Sequence, residues 1–185
     1  MAEIIMVVGG SRSGKSSMAE KLADDGEKKL GHPVVYIATG TIWDEDFALR
    51  VEKHRSRRPS TWQTIEEPCD LSRIFNEYRD QARVYLLDSL GTWVSNMMYQ
   101  DNGSVFNWSQ EKEQDFIGQL DLLAEALKNA SGTVILVADE VGMDVVPASH
   151  EGRIFRDLNG ITNQKLAAEA QQVYMVVCGI ELKIK

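Results

Sequence analysis

The run Gly9-Gly10-Ser11-Arg12-Ser13-Gly14-Lys15-Ser16 constrains this chain more than any other segment. It follows a short apolar run, Ile4 to Val8, and opens a segment, Lys15 to about Leu30, whose residues favour helix. Within that segment Met18 and Leu22 stand at i, i+4 spacing. Gly-x-x-x-x-Gly-Lys-Ser between a strand and a helix is the P-loop pattern. The glycines let the backbone turn tightly and aim successive N–H groups at phosphate oxygens. The helix N-terminus adds a favourable dipole. Lys15 can reach the β- and γ-phosphates, and Ser16 can ligate Mg²⁺. The motif implies a bound nucleoside triphosphate, but alone it does not choose between kinase, GTPase, ATPase and regulator.

The rest of the chain alternates strand-like and helix-like patterns. Val34 to Ala38 reads as a strand that stops at Thr39-Gly40, and Phe47 to about His54 can be helical. After Pro59, Trp62 to Ile65 reads as a short strand and Leu71 to Arg79 as a helix. Arg83 to Asp88 is a clear strand. From Gln110 to Asn129 a helix places Leu120, Leu123, Ala124 and Leu127 on one face. Thr133 to Ala138 is a buried strand, Ile154 to Ala170 a helix, and Val173 to Cys178 the last long strand before a turn at Gly179-Ile180. Apolar strands alternating with helices predict an α/β fold: a mostly parallel sheet flanked by helices, with an antiparallel C-terminal edge. A length of 185 residues suits one domain spanning 1–185.

Composition narrows the partners. A net charge of −8 repels nucleic-acid backbones and argues against generic DNA or RNA binding. No apolar run is long enough to span a membrane, and the N-terminus lacks the features of a signal peptide, so a cytoplasmic protein is expected. Cys69 and Cys178 have no metal-ligand spacing and read as small apolar fillers. His32 reads as an exposed turn residue and His150 as part of a polar loop. The basic cluster Lys53-His54-Arg55-Ser56-Arg57-Arg58 could be a site for a small polyanion or a solvated helix end.

Two further residues could carry chemistry. Asp88 ends a buried strand, where a P-loop protein keeps its metal-side carboxylate; a helix N-cap is the alternative. His54 could attack phosphorus, with Arg55, Arg57 and Arg58 stabilising charge on the phosphate oxygens. Neighbouring cations would also disfavour the imidazolium and keep the ring nucleophilic. Spacing alone leaves open an ordinary surface histidine.

Several segments together resemble one family. They are the P-loop, Tyr36-Ile-Ala-Thr39, His54 with Arg58-Pro59, and Leu87-Asp-Ser-Leu-Gly-Thr-Trp-Val-Ser-Asn96. Glu140-Val-Gly-Met143, Val146-Pro147, Phe155-Arg-Asp157, Asn163-Gln164 and Val177-Cys-Gly-Ile180 complete the set. The chain is similar along its length to the bifunctional adenosylcobinamide kinase / adenosylcobinamide-phosphate guanylyltransferases of cobalamin synthesis. The resemblance implies a RecA-like P-loop fold, a homo-oligomer (a trimer), and two reactions. ATP or GTP phosphorylates adenosylcobinamide; GTP then donates GMP to that phosphate through a histidine-bound intermediate, releasing pyrophosphate. His54 matches the guanylylated histidine. Nucleotide contacts carry over to Gly9 through Ser16, to Ala38, Thr39 and Gly40, to Arg55, Ser56, Arg57 and Arg58, and to Glu66 and Asp88.

Some positions depart from the pattern or stay open. Asp88 stands where relatives carry Glu, Lys53 replaces a second histidine found in some members, and Arg57 stands where glycine can occur. Glu66 could accept from guanine N–H groups, although sequence alone reads it as a surface carboxylate beside Glu67. Arg156, Asp157, Asn163 and Gln164 are expected to build helix structure, with an Arg–Asp pair and a buried amide network, or an interface, ahead of any catalytic role. Two other functions remain as alternatives: a single-function P-loop kinase for a small alcohol, and a non-catalytic nucleotide-sensing module.

Overall fold

The computed structural model describes residues 2–40, 58–100 and 108–185. The P-loop strand β1 (Glu3–Gly9) leads into α1 (Lys15–Leu30), followed by β2 (Val34–Ala38) and β3 (Gln63–Glu66). Then come α2 (Leu71–Glu77), β4 (Arg83–Asp88), α3 (Leu90–Tyr99), α4 (Gln110–Asn129) and β5 (Gly132–Asp139). The chain ends with α5 (His150–Glu169), β6 (Gln172–Val177) and β7 (Ile180–Lys183). The strands form one seven-stranded sheet in the order β3-β2-β4-β5-β1-β6-β7. Every pairing is parallel except β6 with β7.

Strand alternation sends successive side chains to opposite faces. Ile4 and Met6 of β1, Tyr85 and Leu87 of β4, and Val134 and Leu136 of β5 face a core shared with α2, α3, α4 and α5. Ile5 and Val7, Val84 and Leu86, and Ile135 and Val137 face a smaller core beneath Ala19 and Ala23 of α1. Both faces of the central strands are therefore buried, which is why those strands read as unbroken apolar runs. In the larger core Phe75 and Tyr85 meet edge to face at 5.3 Å, worth about 0.5–1.5 kcal/mol beyond the area they bury.

Several expectations are corrected. Helix α3 was not anticipated. Its apolar residues Leu90, Trp93, Val94, Met97 and Met98 follow helical spacing, and the Ser89 side chain caps it by accepting from Thr92 N. Helix α5 begins at His150, four residues before the expected start, because Ser149 caps it by accepting from Gly152 N. His150 is thus the first residue of a helix rather than part of a loop. His32 is half-buried, not exposed. Cys178 is no filler: it is exposed, at φ 54, in the turn between β6 and β7. Cys69 is half-buried, and burial pushes its thiol pKa up. The predicted helix from Phe47 to His54 lies outside the described residues.

Gly132 opens β5 at φ 96, and a Cβ there would sit 2.1 Å from the Arg83 carbonyl oxygen. Left-handed strain and backbone collision act together, so Gly132→Ala is expected to destabilise the fold by about 2 kcal/mol or more. Urea unfolding followed by tryptophan fluorescence would read this as a lower midpoint at unchanged slope.

Candidate nucleotide site

The P-loop joins β1 to α1 at the C-terminal edge of the sheet, where open parallel α/β folds bind ligands. Its shape rests on two glycines. A Cβ on Gly9 would lie 2.5 Å from Ser13 Oγ and 2.7 Å from the Val176 carbonyl oxygen. Gly14 takes φ 100 as the N-cap of α1 and lies against Gly179. Gly10 has open space around it, so the tight packing belongs to Gly9 and Gly14. Arg12 also holds a left-handed φ of 57, an unusual conformation for a non-glycine residue. The β6–β7 turn supports the loop from outside: Gly179 N donates to Ser13 O at 2.8 Å.

Lys15 folds back over the loop. Its Nζ donates to the Gly10 carbonyl at 3.1 Å and forms an ion pair with Asp139 Oδ1 at 2.8 Å. Asp139 was missed from the sequence. It ends β5 as Asp88 ends β4, and the strand-end reasoning applied to Asp88 would have found it. In register it lies directly opposite Gly9.

Asp88 and Asp139 share a sheet face. Each is two residues beyond a side chain, Leu86 or Val137, that packs under α1. Asp88 is not the helix cap, since Ser89 fills that role. Its Oδ2 accepts from Tyr36 OH at 3.0 Å. The Asp88 carboxylate and the Ser16 hydroxyl are hard oxygen donors of the kind Mg²⁺ takes, and both lie on the α1 side of the sheet.

Tyr36 links two expected site residues. The Arg58 guanidinium lies 3.2 Å from the centre of its ring, and Arg58 Nε is buried with no partner among the described residues. Burial first, then the Asp88 carboxylate, pushes the Tyr36 pKa well above its ordinary value, so the phenol stays protonated and donates to Asp88. Arg58, Tyr36 and Asp88 are therefore one connected group. His54, Arg55, Ser56 and Arg57 lie outside the described residues.

A model of the cobinamide kinase / cobinamide phosphate guanyltransferase family matches residues 5–184. The chain belongs to this family. It is 40% identical to the bifunctional adenosylcobalamin biosynthesis protein CobU of Escherichia coli (strain K12), over 98% of this chain and 99% of that protein. It is 36% identical to CobU of Salmonella typhimurium, with the same coverage, and 33% identical to CobP of Pseudomonas aeruginosa, over 97% and 96%. Among solved structures, a prototypical ATPase from the type III secretion system of pathogenic bacteria superposes with TM-score 0.59 at 11% identity, over 98% of this chain and 56% of that one. The ATPase domain of G40P gives 0.53 at 11%, over 94% and 68%. These likenesses place the fold in the RecA-like P-loop class.

Other expected family positions play internal parts. Thr39 is fully buried; its Oγ1 donates to Ser89 O and accepts from Ser89 N, both at 2.9 Å, clamping β2 to β4. Its side chain is therefore committed to the fold, and in the 38–40 segment the half-buried Ala38 and Gly40 offer the reachable surface. Ser11 and Arg12 are exposed and Ser16 is half-buried.

Glu66 is exposed at the end of β3. Its neighbour Glu67 is structural, accepting from Cys69 N, Asp70 N and Arg73 Nη2. Burial alone would raise the Glu67 pKa, but those bonds outweigh it and hold the pKa below the ordinary range. Asn159 and Asn163 donate to the Asp139 carbonyl at 2.7 and 2.9 Å, and Arg156 donates to Gly142 O. Of the expected amide network only Asn163 takes part, joined by Asn159, which was not expected; Gln164 and Asp157 are exposed, and Arg156 and Asp157 form no ion pair among the described residues. A separate cavity of about 610 Å³, whose lining includes Cys69, Met97, Trp108 and Phe116, has no P-loop residue in its wall.

Proposed function

We propose that this protein phosphorylates adenosylcobinamide with ATP or GTP and then transfers GMP from GTP to the new phosphate, giving adenosylcobinamide-GDP and pyrophosphate in cobalamin synthesis or salvage. The observation that carries this reading is a well-formed P-loop in a chain matched to the family from residue 5 to 184. In the first reaction the N–H groups of Gly9 to Ser16 and the Lys15 ammonium hold the β- and γ-phosphates. The alcohol oxygen attacks the γ-phosphorus, the bond to the bridging oxygen breaks, and the nucleoside diphosphate leaves. Mg²⁺, held by Ser16 and Asp88, would supply charge neutralisation on the phosphate oxygens.

In the second reaction a ring nitrogen of His54 attacks the α-phosphorus of GTP. The α–β bridging bond breaks and pyrophosphate leaves from the P-loop. The phosphate of adenosylcobinamide phosphate then attacks the same phosphorus, and the N–P bond breaks to free His54. Arg55, Ser56, Arg57 and Arg58 would stabilise charge on the α-phosphate; Arg58 is supported in this role by an Nε that is buried with no partner among the described residues and by its place on the Tyr36 ring. Glu66, exposed at the sheet edge, accepts from guanine N–H groups. Ala38 and Gly40 complete the nucleotide surface, with the buried Thr39 holding them in place through Ser89.

The chain acts as one domain and as a homo-oligomer, a trimer, in the cytoplasm. The exposed apolar residues Ile180 and Leu182 on the edge strand β7 support self-association. No helix among the described residues is long and apolar enough to cross a membrane.

A product assay tests the function. Adenosylcobinamide with ATP alone should give only the phosphate, and added GTP should convert it to adenosylcobinamide-GDP with one pyrophosphate per product. Phosphate that never proceeds to the GDP form would leave a single-function kinase instead.

A further inference from the structure

Asp139, at the end of β5, stands beside the P-loop as a fixed anion. Its backbone carbonyl is clamped by two amides, with Asn159 Nδ2 at 2.7 Å and Asn163 Nδ2 at 2.9 Å. Its side chain is held at both oxygens: Oδ1 pairs with Lys15 Nζ at 2.8 Å, and Oδ2 accepts from Ser89 Oγ at 3.3 Å. Room for it depends on Gly91, where a Cβ would come 2.3 Å from Asp139 Oδ2. Three elements, α5, α3 and the turn after β4, therefore fix one carboxylate against the cation that a triphosphate needs.

We propose that Asp139 sets the phosphate specificity of the P-loop by competing with the β- and γ-phosphates for Lys15. The proposal rests on the reading that Lys15 binds those phosphates. A nucleotide that engages Lys15 must share it with Asp139, and its own negative charges must come close to that carboxylate. Each added phosphate meets more of this repulsion. A divalent cation travelling with the nucleotide offsets it, so Asp139 also makes triphosphate affinity depend on that cation. A monophosphate, whose single phosphate is the α-phosphate, does not reach Lys15 and escapes the competition. Asp139 is thus a positioning and specificity residue rather than a group that reacts.

Asp139→Asn keeps the size of the side chain and an oxygen for Ser89 while removing the charge. Equilibrium titration of GTP, GDP and GMP against wild type and Asp139→Asn, with EDTA and with Mg²⁺, tests the proposal. In EDTA, GTP is expected to bind the variant about tenfold more tightly and GDP more tightly by a smaller factor, while GMP stays within about twofold. With Mg²⁺ the gain for GTP should shrink. Asp139→Ala should show the same order of effects even with a lower unfolding midpoint.

Unchanged or weaker GTP binding by Asp139→Asn overturns the proposal, as does a change equal for GTP and GMP, which would mark a merely structural ion pair. Wild-type protein that binds neither GTP nor GDP would overturn the P-loop reading and the proposal with it. Wild-type binding with no difference in the variant overturns the proposal alone.

Discussion

His54→Ala is expected to abolish GMP transfer while sparing phosphorylation. Given adenosylcobinamide, ATP and GTP, the variant should accumulate adenosylcobinamide phosphate and release no pyrophosphate above background. Removing a covalent nucleophile commonly lowers its own step by about 10³-fold or more, because no neighbouring group replaces the bond it forms. In sequence its neighbours are Lys53 and three arginines; a guanidinium stabilises charge but is no nucleophile, and a protonated lysine is none either. The kinase step uses the γ-phosphate and the P-loop, so its rate should stay within about threefold of wild type. Chromatography of the corrinoid products with a coupled pyrophosphate assay separates the two activities. A variant that still forms adenosylcobinamide-GDP at a comparable rate would show that His54 is not the carrier.

Lys15→Ala is expected to remove both activities together. In the proposed scheme the Lys15 side chain serves both reactions, steadying the γ-phosphate under attack in the first and the departing pyrophosphate in the second. Loss of such a cation typically lowers turnover by about 10²–10³-fold. The structure adds to this expectation. Without Lys15 the Asp139 carboxylate, now 2.8 Å from the ammonium, would face the phosphates unneutralised. Triphosphate binding should therefore weaken as well as turnover. The fold should survive, because Gly9, Gly14 and the Gly179 contact that shape the loop are untouched. Paired kcat and Kd measurements, with urea unfolding as the control, decide this. Loss of one activity alone would mean that the two reactions use different phosphate holders.

The sequence made the sheet legible because its central strands are buried on both faces. Val34–Ala38 and Arg83–Asp88 were bounded correctly, as were the helices Lys15–Leu30 and Gln110–Asn129. Helix α3 escaped because Gly91, Thr92 and Val94 are weak helix formers in its first turns, and packing of Leu90 and Trp93 into the core decides the matter. The site was less legible than the fold for a related reason. Its strand-end position could have flagged Asp139 as a candidate, but its place opposite Gly9 and its pairing with Lys15 follow from β5 lying beside β1, and strand order cannot be read along a chain. Tyr36 likewise looked like one more apolar strand residue, until β2 and β4 brought its hydroxyl to Asp88 and Arg58 came to lie on its ring. Thr39 shows the reverse: a position taken for a ligand contact is sealed at 0% exposure by its bonds to Ser89. The P-loop needed no such help, because all of its residues are contiguous.

One P-loop serving two chemistries is tested most directly by following two phosphates of GTP in the wild-type protein. GTP labelled on the α-phosphate is incubated with the protein and Mg²⁺, free nucleotide is removed, and adenosylcobinamide phosphate is added. Acid-labile label should remain on the protein and pass into adenosylcobinamide-GDP, while γ-labelled GTP supplied with adenosylcobinamide should label the corrinoid phosphate. Pyrophosphate release and product formation with no α-label ever retained on the protein would contradict the covalent step and the shared-holder account built on it.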